Sequence, residues 1–254
     1  MVRRFEGGEP ATPIAVLSDI HGNSQALAAV LRAAQQRGAS RWWCVGDVVG
    51  YGADPVTTLG RALTEAERCL AGNHDLGASG RIPLENFTSW AHDALVWTQE
   101  KLGPVGMAKL DRLQPVDRTE GVAPLFHASP RDPVWEYVLE LGQARDALEA
   151  VPALVTFIGH THLPAVWHLG EDGAVRGFEP SSGPFGLTPH RWLVNPGSVG
   201  QPRDGDPRAS WALYDPDAAT VEIVRTPYDV AAAQNQILNA GLPAGLATRL
   251  AEGR

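Results

Sequence analysis

Ile14-Ala15-Val16-Leu17-Ser18-Asp19-Ile20-His21 is an apolar run that ends in a carboxylate and an imidazole two residues apart. The same grammar recurs along the chain. Arg41-Trp42-Trp43-Cys44-Val45 leads to Gly46-Asp47, and Glu67-Arg68-Cys69-Leu70-Ala71 leads to Gly72-Asn73-His74-Asp75. Val122-Ala123-Pro124-Leu125-Phe126 leads to His127, and Leu154-Val155-Thr156-Phe157-Ile158 leads to Gly159-His160-Thr161-His162. Each run is short and β-prone enough to be a buried strand. Between the first three lie helical patterns. One runs from Asn23 to Arg37, with Asn23 or Ser24 as N-cap and Gly38 as the stop; the other runs from Pro55 to Leu63. Strand-helix-strand alternation argues for an α/β fold with parallel units, whose ligands gather beyond the carboxyl ends of the strands. All five polar clusters fall at that end.

Apart from His74, the clusters pool two carboxylates (Asp19, Asp47), one amide oxygen (Asn73) and four imidazoles (His21, His127, His160, His162). This mixed oxygen and nitrogen set suits Mn, Fe, Zn, Co or Ni rather than an all-oxygen Ca or Mg cage. Seven ligating side chains exceed what one ion takes, and a carboxylate can bridge, so two divalent transition metal ions are expected. His74 is the imidazole left over for proton transfer.

In order and spacing, Asp19-x-His21, Gly46-Asp47, Gly72-Asn73-His74-Asp75, His127 and Gly159-His160-Thr161-His162 resemble the calcineurin-like metallophosphoesterase superfamily. The resemblance spans about Ile14 to Ser198. The stretch Asn195 to Asp204 is similar to a loop of its small prokaryotic phosphodiesterase branch. It implies a four-layer αββα sandwich, two mixed β-sheets flanked by helices, around a dinuclear centre for which manganese is favoured. It also implies roles. Asp19, His21 and His162 would hold the first metal; Asn73, His127 and His160 would hold the second; Asp47 would bridge them. His74 matches the histidine that stabilises or protonates the leaving oxygen. A departure narrows the branch. Protein phosphatases of the superfamily carry Gly-Asp-x-x-Asp-Arg-Gly, whereas this chain has Gly46-Asp47-Val48-Val49-Gly50-Tyr51-Gly52. Gly50 replaces the acid that orients the catalytic histidine and Tyr51 replaces the phosphate-gripping arginine. Arg131, Arg203 and Tyr51 are the candidate substrate-binding residues that remain.

The chemistry follows from charge. Two divalent ions less Asp19, Asp47 and a bridging hydroxide leave roughly one positive charge, which attracts a phosphate oxyanion. Metal coordination also lowers the pKa of bound water towards neutrality. The expected activity is hydrolysis of a small phosphodiester, a cyclic nucleotide or dinucleotide, by metal-bound hydroxide. A phosphomonoesterase or diadenosine polyphosphate hydrolase is the alternative. A non-catalytic scaffold of the same fold has no need of His74, and neither zinc-peptidase nor metallo-β-lactamase motifs occur.

The rest of the 254 residues fits one domain, 1–254, with cap-like insertions near 76–120 and 163–192. The first insertion carries helical patterns from Glu85 to Leu102 and from Val105 to Leu113, with Phe87, Trp90 and Trp97 read as core. The second alternates like paired strands before a loop from Pro180 to Pro189. Trp211 to Asp215 and Thr220 to Arg225 read as a hairpin, and the tail from Tyr228 reads as helical. Asp75 either supports a ligand or caps the turn that follows. His92, His168 and His190 read as solvated or core histidines. The net charge of -8 argues against long nucleic-acid partners. Met1 to Pro10 resembles neither a secretory signal nor an anchor, and no run approaches membrane-spanning length, so no membrane partner is expected. Cys44 and Cys69, both in predicted strands, suggest a cytoplasmic protein. Oligomeric state is left open.

Overall fold

A computed structural model describes residues 12–178 and 183–254. The N-terminal decapeptide, and Pro180 to Ser182 of the loop expected up to Pro189, lie outside the described residues. Near the N-terminal end, β1 (Ile14–Leu17), α1 (Ser24–Gln36), β2 (Arg41–Cys44), α2 (Pro55–Glu65) and β3 (Arg68–Cys69) alternate as the sequence suggests. Asn23 caps α1 by accepting from Ala26 N, and Asp54 caps α2 by accepting from Thr57 N. Then come α3 (Asn73–Ala78), a 3-10 turn (Leu84–Asn86), α4 (Ser89–Leu110), β4 (Val116–Asp117) and β5 (Leu125–Phe126). Two predicted helices are seen as one element here, broken where Gly103 takes φ +57° in front of Pro104. Beyond α5 (Leu141–Ala150), β6 (Val155–Phe157), β7 (Pro164–Leu169), β8 (Val175–Phe178), β9 (Phe185–Gly186) and β10 (Arg191–Pro196) complete the middle of the chain. The hairpin β11 (Ala209–Asp215) and β12 (Thr220–Thr226) precedes α6 (Val230–Asn239) and α7 (Ala244–Glu252).

The strands form two six-stranded mixed sheets, β3-β2-β1-β11-β12-β9 and β4-β5-β6-β10-β7-β8. Within the first, β1, β2 and β3 are parallel and β11 runs antiparallel to β1 with Ile14 opposite Tyr214. Within the second, β5, β6 and β10 are parallel. Alternation along β1 explains the layering. Ile14 and Val16 face the second sheet and pack with Trp43, Leu125, Val155, Phe157 and Val194. Ala15 and Leu17 face the other way, towards Leu27, Val30 and Leu59 of α1 and α2. On the far side, Ala144, Ala147 and Leu148 of α5 cover Phe126, Trp167 and Leu193. The result is the expected αββα order.

A third helical layer element was not anticipated in this role. Helices α6 and α7 bury Ala233, Ile237, Leu246 and Leu250 against Tyr51, Ala91 and Ala94, so the tail walls one side of the strand-end face. Trp90, expected in the core, is 43% exposed, because it lies across the edge where Gly245 of α7 approaches its ring. Cys44 is buried and its register partner Cys69 half-buried, both as free thiols. Among the described residues no helix is long and apolar enough to cross a membrane.

Candidate metal centre

Parallel strands that stop together deliver their next residues to one place. Asp19 and His21 follow β1, Asp47 follows β2, Asn73 and His74 follow β3, His127 follows β5, and His160 and His162 follow β6. All eight are buried. The tight turns that aim them require left-handed backbone at non-glycine residues: φ is +54° at Asp19, +47° at His21, +52° at Asp47, +69° at His160 and +61° at His162. Such strain persists only where the surroundings hold it. Here Asp19 N donates to Gly46 O (3.0 Å), His21 N to Asp47 O (2.9 Å) and His160 N to the Asp19 carboxylate (3.2 Å), so the loops of both sheets brace one another. Asn195 binds the last loop from behind, donating to Gly159 O (2.8 Å) and Thr161 Oγ1 (2.9 Å).

Asp75 caps the turn, one of the two parts expected of it, and also braces the Asp47 loop through backbone N–H groups. Its carboxylate accepts from Gly72 N (2.9 Å), which caps α3, and from Val48 N (3.1 Å) and Val49 N (3.0 Å), which fixes the loop behind Asp47. Gly72 has no alternative residue at this spot, since a Cβ there would lie 2.0 Å from Asp47 Oδ1.

The imidazoles report what the centre wants. His21 Nδ1 faces Val49 O (3.1 Å), His127 Nδ1 faces Val45 O (3.0 Å) and His162 Nδ1 faces Gln201 O (2.7 Å). Carbonyls only accept, so each Nδ1 carries the proton and each Nε2 presents a bare lone pair. Those lone pairs converge. His21 Nε2 stands 3.0 Å from His162 Nε2, and His127 Nε2 stands 3.2 Å from the Asn73 Oδ1 acceptor. Asp19 Oδ1, Asp47 Oδ2 and His160 Nε2 are buried and have no hydrogen-bond partner. Acceptors packed against acceptors are repulsive unless a cation sits among them.

Two groups share one member. Asp19, His21, Asp47 and His162 offer ligand atoms within 4.8 Å of one another, and so do Asp47, His127 and His160. Asp47 Oδ2 lies 3.5 Å from His21 Nε2 and 3.6 Å from His127 Nε2. Burial pushes the Asp19 carboxyl up to about 7 and that of Asp47 well above the usual range. Burial likewise holds His21, His127 and His162 well below the ordinary imidazole value and brings His160 down to about 4. Neutral imidazoles and carboxylates starved of positive charge are the donor set a divalent cation completes. The residues fit the metals.

His74 is differently placed. Its backbone N–H donates to Asp47 Oδ1 (2.9 Å), while its Nδ1 is buried without a partner. At position 50 a Cβ would come within 2.5 Å of that nitrogen, so the glycine there leaves no room for a side chain and supplies no hydrogen bond. Rings hold the imidazole instead: Tyr51 at 4.4 Å, His21 at 4.8 Å and Phe87 at 5.1 Å between centroids.

In front of the centre opens a cleft of about 90 Å³. Asp47, Asn73, His74, His160 and His162 form its floor; Tyr51, Phe87, Trp135, Tyr137 and Arg203 form its walls. Tyr137 lies over the His160 ring (4.2 Å), and Phe87 touches Trp135 (5.4 Å). Arg203 reaches over the Tyr51 ring (5.7 Å), donates to Gln201 Oε1 (2.9 Å), and keeps a buried Nε without a partner. Phe87, read from the sequence as core, thus serves both core and cleft. Trp135 and Tyr137 were missed; the signal available was an aromatic pair in the loop that follows His127. The structure does not bring Arg131 to the cleft. That side chain is half exposed and paired with Asp146 and Glu136. His168 and His190 stack on each other and on Trp192, and His92 sits on the surface beside Asp93.

A sequence profile of the calcineurin-like phosphoesterase superfamily domain matches residues 13–219. The uncharacterized protein MJ0912 of Methanocaldococcus jannaschii is 37% identical over 250 residues, covering 95% of this chain and 98% of that protein. A metallophosphoesterase from Sphaerobacter thermophilus, known as a crystal structure, is 36% identical with a TM-score of 0.84, covering 96% of this chain and 100% of that one. The protein PH1004 of Pyrococcus horikoshii OT3 shares the fold at 20% identity, with a TM-score of 0.76 over 95% of this chain and 98% of that one.

Proposed function

Since the chain belongs to the calcineurin-like phosphoesterase superfamily of metal-dependent phosphoric ester hydrolases, we propose that its strand-end centre binds two divalent transition metal ions, manganese foremost, and hydrolyses small phosphodiesters. The observation that carries this reading is the sharing of Asp47 between two convergent ligand groups. Asp19, His21 and His162 would hold one ion, and Asn73, His127 and His160 would hold the other. When bound, such ions supply Lewis acidity and an activated water at neutral pH.

The chain's own residues do the rest. Arg203, aimed into the cleft, grips a non-bridging phosphoryl oxygen with a charge that no salt bridge among the described residues neutralises. His74, kept close to Asp47 through its backbone and upright by three rings, lies beside the position of the departing oxygen. As the P–O bond to the leaving group breaks and a water oxygen bonds to phosphorus, protonated His74 gives its proton to the departing oxygen, and the proton shed by the water restores the imidazolium. Tyr51, where protein phosphatases of the family place an arginine, offers a ring face rather than a second positive charge. A diester, with one charge fewer than a monoester dianion, suffers less from that exchange.

Hydrolysis of bis-p-nitrophenyl phosphate, p-nitrophenyl phosphate, 2',3'-cyclic nucleotides and diadenosine polyphosphates by manganese-loaded protein tests the reading. The diester should show the higher kcat/KM; a clear preference for p-nitrophenyl phosphate would make the protein a monoesterase instead. His74→Asn should keep both ions by metal analysis and lose ~10²–10⁴-fold in turnover. The loss should be larger for an alkoxide leaving group than for p-nitrophenolate. Equal losses would leave His74 with an electrostatic role only.

A further inference from the structure

Arginines in this acidic chain are mostly spoken for. Arg37 pairs with Glu222, Arg41 with Glu67, Arg61 with Glu65, Arg68 with Asp117 and Arg208 with Asp206. Arg203 and Arg249 are different. Both are half-buried, Arg203 lines the cleft, and among the described residues neither forms a salt bridge. They also point at the same atom. Arg203 donates to Gln201 Oε1 at 2.9 Å and Arg249 donates to it at 3.4 Å, so two guanidinium groups are neighbours across one amide oxygen.

Placing two like charges together is costly unless an anion joins them. Burial pushes the Arg249 pKa down, and the charge of Arg203 pushes it further. The fold nevertheless fixes the pair. Arg249 lies over the Trp90 ring (5.3 Å) as Arg203 lies over Tyr51, aromatic faces that orient a cation without cancelling it. Gly205 N donates to Gly253 O (2.9 Å), which ties the end of α7 to the loop bearing Arg203. Gln201, the shared acceptor, uses its backbone carbonyl to take the proton of His162 Nδ1, so the pair is joined through one residue to the metal centre.

We propose that Arg249, set beside Arg203 across Gln201 Oε1, forms a second anion subsite, and that the preferred substrate is a phosphodiester carrying a further phosphate beyond the scissile one. The proposal rests on the phosphoesterase reading above and adds to it a specificity residue, Arg249, from the C-terminal helix. One guanidinium reaches the scissile phosphate; the other meets the second phosphate in the forked geometry that suits it.

The test compares the p-nitrophenyl ester of thymidine 5'-phosphate with and without a 3'-phosphate. Wild-type protein should favour the doubly phosphorylated ester by about tenfold in kcat/KM, chiefly through KM. Arg249→Gln should bring the ratio of the two close to one, and Arg249→Lys should retain much of it. A purely structural arginine would alter both esters alike and leave the ratio standing. Melting of metal-free protein in EDTA provides an independent readout. Inorganic pyrophosphate should raise the melting temperature of wild type and not that of Arg249→Gln. An unchanged ratio in Arg249→Gln, or equal pyrophosphate stabilisation of both proteins, overturns the subsite. If neither ester is cleaved with any of the candidate metals, the phosphoesterase reading fails, and the pyrophosphate measurement still decides the subsite.

Discussion

The floor of the cleft and its rim are built on different principles. On the floor, Asp19, His21, Asp47 and His127 are at most 1% exposed, and their backbones are locked by hydrogen bonds between loops of both sheets. At the rim, Tyr137 is 44% exposed, and Phe87, Trp135 and Arg203 contact their neighbours through ring faces rather than through backbone hydrogen bonds between loops of both sheets. A locked floor fixes the reaction class, since a ligand cannot shift without breaking backbone hydrogen bonds. A stacked rim can be altered residue by residue with the chemistry left in place, so selectivity resides there.

The sharpest way to break this contrast is at its most shared floor residue. Asp47→Asn keeps the acceptor for His74 N and nearly the same shape, yet removes the charge common to both ligand groups. Metal analysis should show both ions weakened. The fall in kcat/KM should exceed the ~10–100-fold typical of groups outside the ligand set. His21→Asn and His127→Asn should each cost less. If either single histidine variant loses as much as Asp47→Asn, the two groups do not share a bridge.

At the rim the effect should be smaller and selective. Trp135→Leu removes the partner of Phe87 at the cleft wall. Metal content should be unchanged, while KM for an aryl ester rises about fivefold, the equivalent of about 1 kcal/mol of aromatic contact. Equal effects on aryl and alkyl esters would mean that the rim does not read the substrate.

Far from both, the edges of the sheets offer a control. Arg68 on β3 donates to Asp117 on β4 (2.6 Å) and so clips one sheet to the other. That bond, more than any other influence, brings the Asp117 carboxyl down to about 2. A carboxylate with a depressed folded-state value stabilises above its unfolded value near 3.9 and loses that contribution as pH falls through about 2. In urea titrations, wild type should exceed Asp117→Asn by about 1 kcal/mol or less from pH 7 to about 4, with the gap closing at lower pH. Activity should not change. A gap that widens on acidification would contradict the sign.

Legibility in the sequence followed the same division. The floor could be read because each candidate ligand sits within a few residues of a β-prone run, and local order fixes strand ends. Asp19, His21, Asp47, Asn73, His74, His127, His160 and His162 all reach one place for that reason. Asp75 could be read only halfway, because its bonds to Val48 and Val49 join stretches whose separation no periodicity encodes. Trp135 and Tyr137 lie between β5 and α5 without helical or strand period, and Arg131, which looked equally suited to phosphate, turned instead to Asp146. Arg249 sat in a tail whose helical pattern was plain and whose destination was not. The two-residue strands β4 and β9, unlike the equally short β3 and β5, lie in no apolar run that announces them.

The pairing of β1 with β11 carries a consequence for how the protein comes into being. Ile14 waits for Tyr214, about 200 residues downstream, before the central ladder of the first sheet can close. At ribosomal speed that is roughly 10–40 s during which the strand that presents Asp19 has an open, apolar edge. Such long-range closure slows folding and leaves that edge exposed to mispairing until the hairpin arrives. The same strand that presents Asp19 therefore waits longest for its second neighbour.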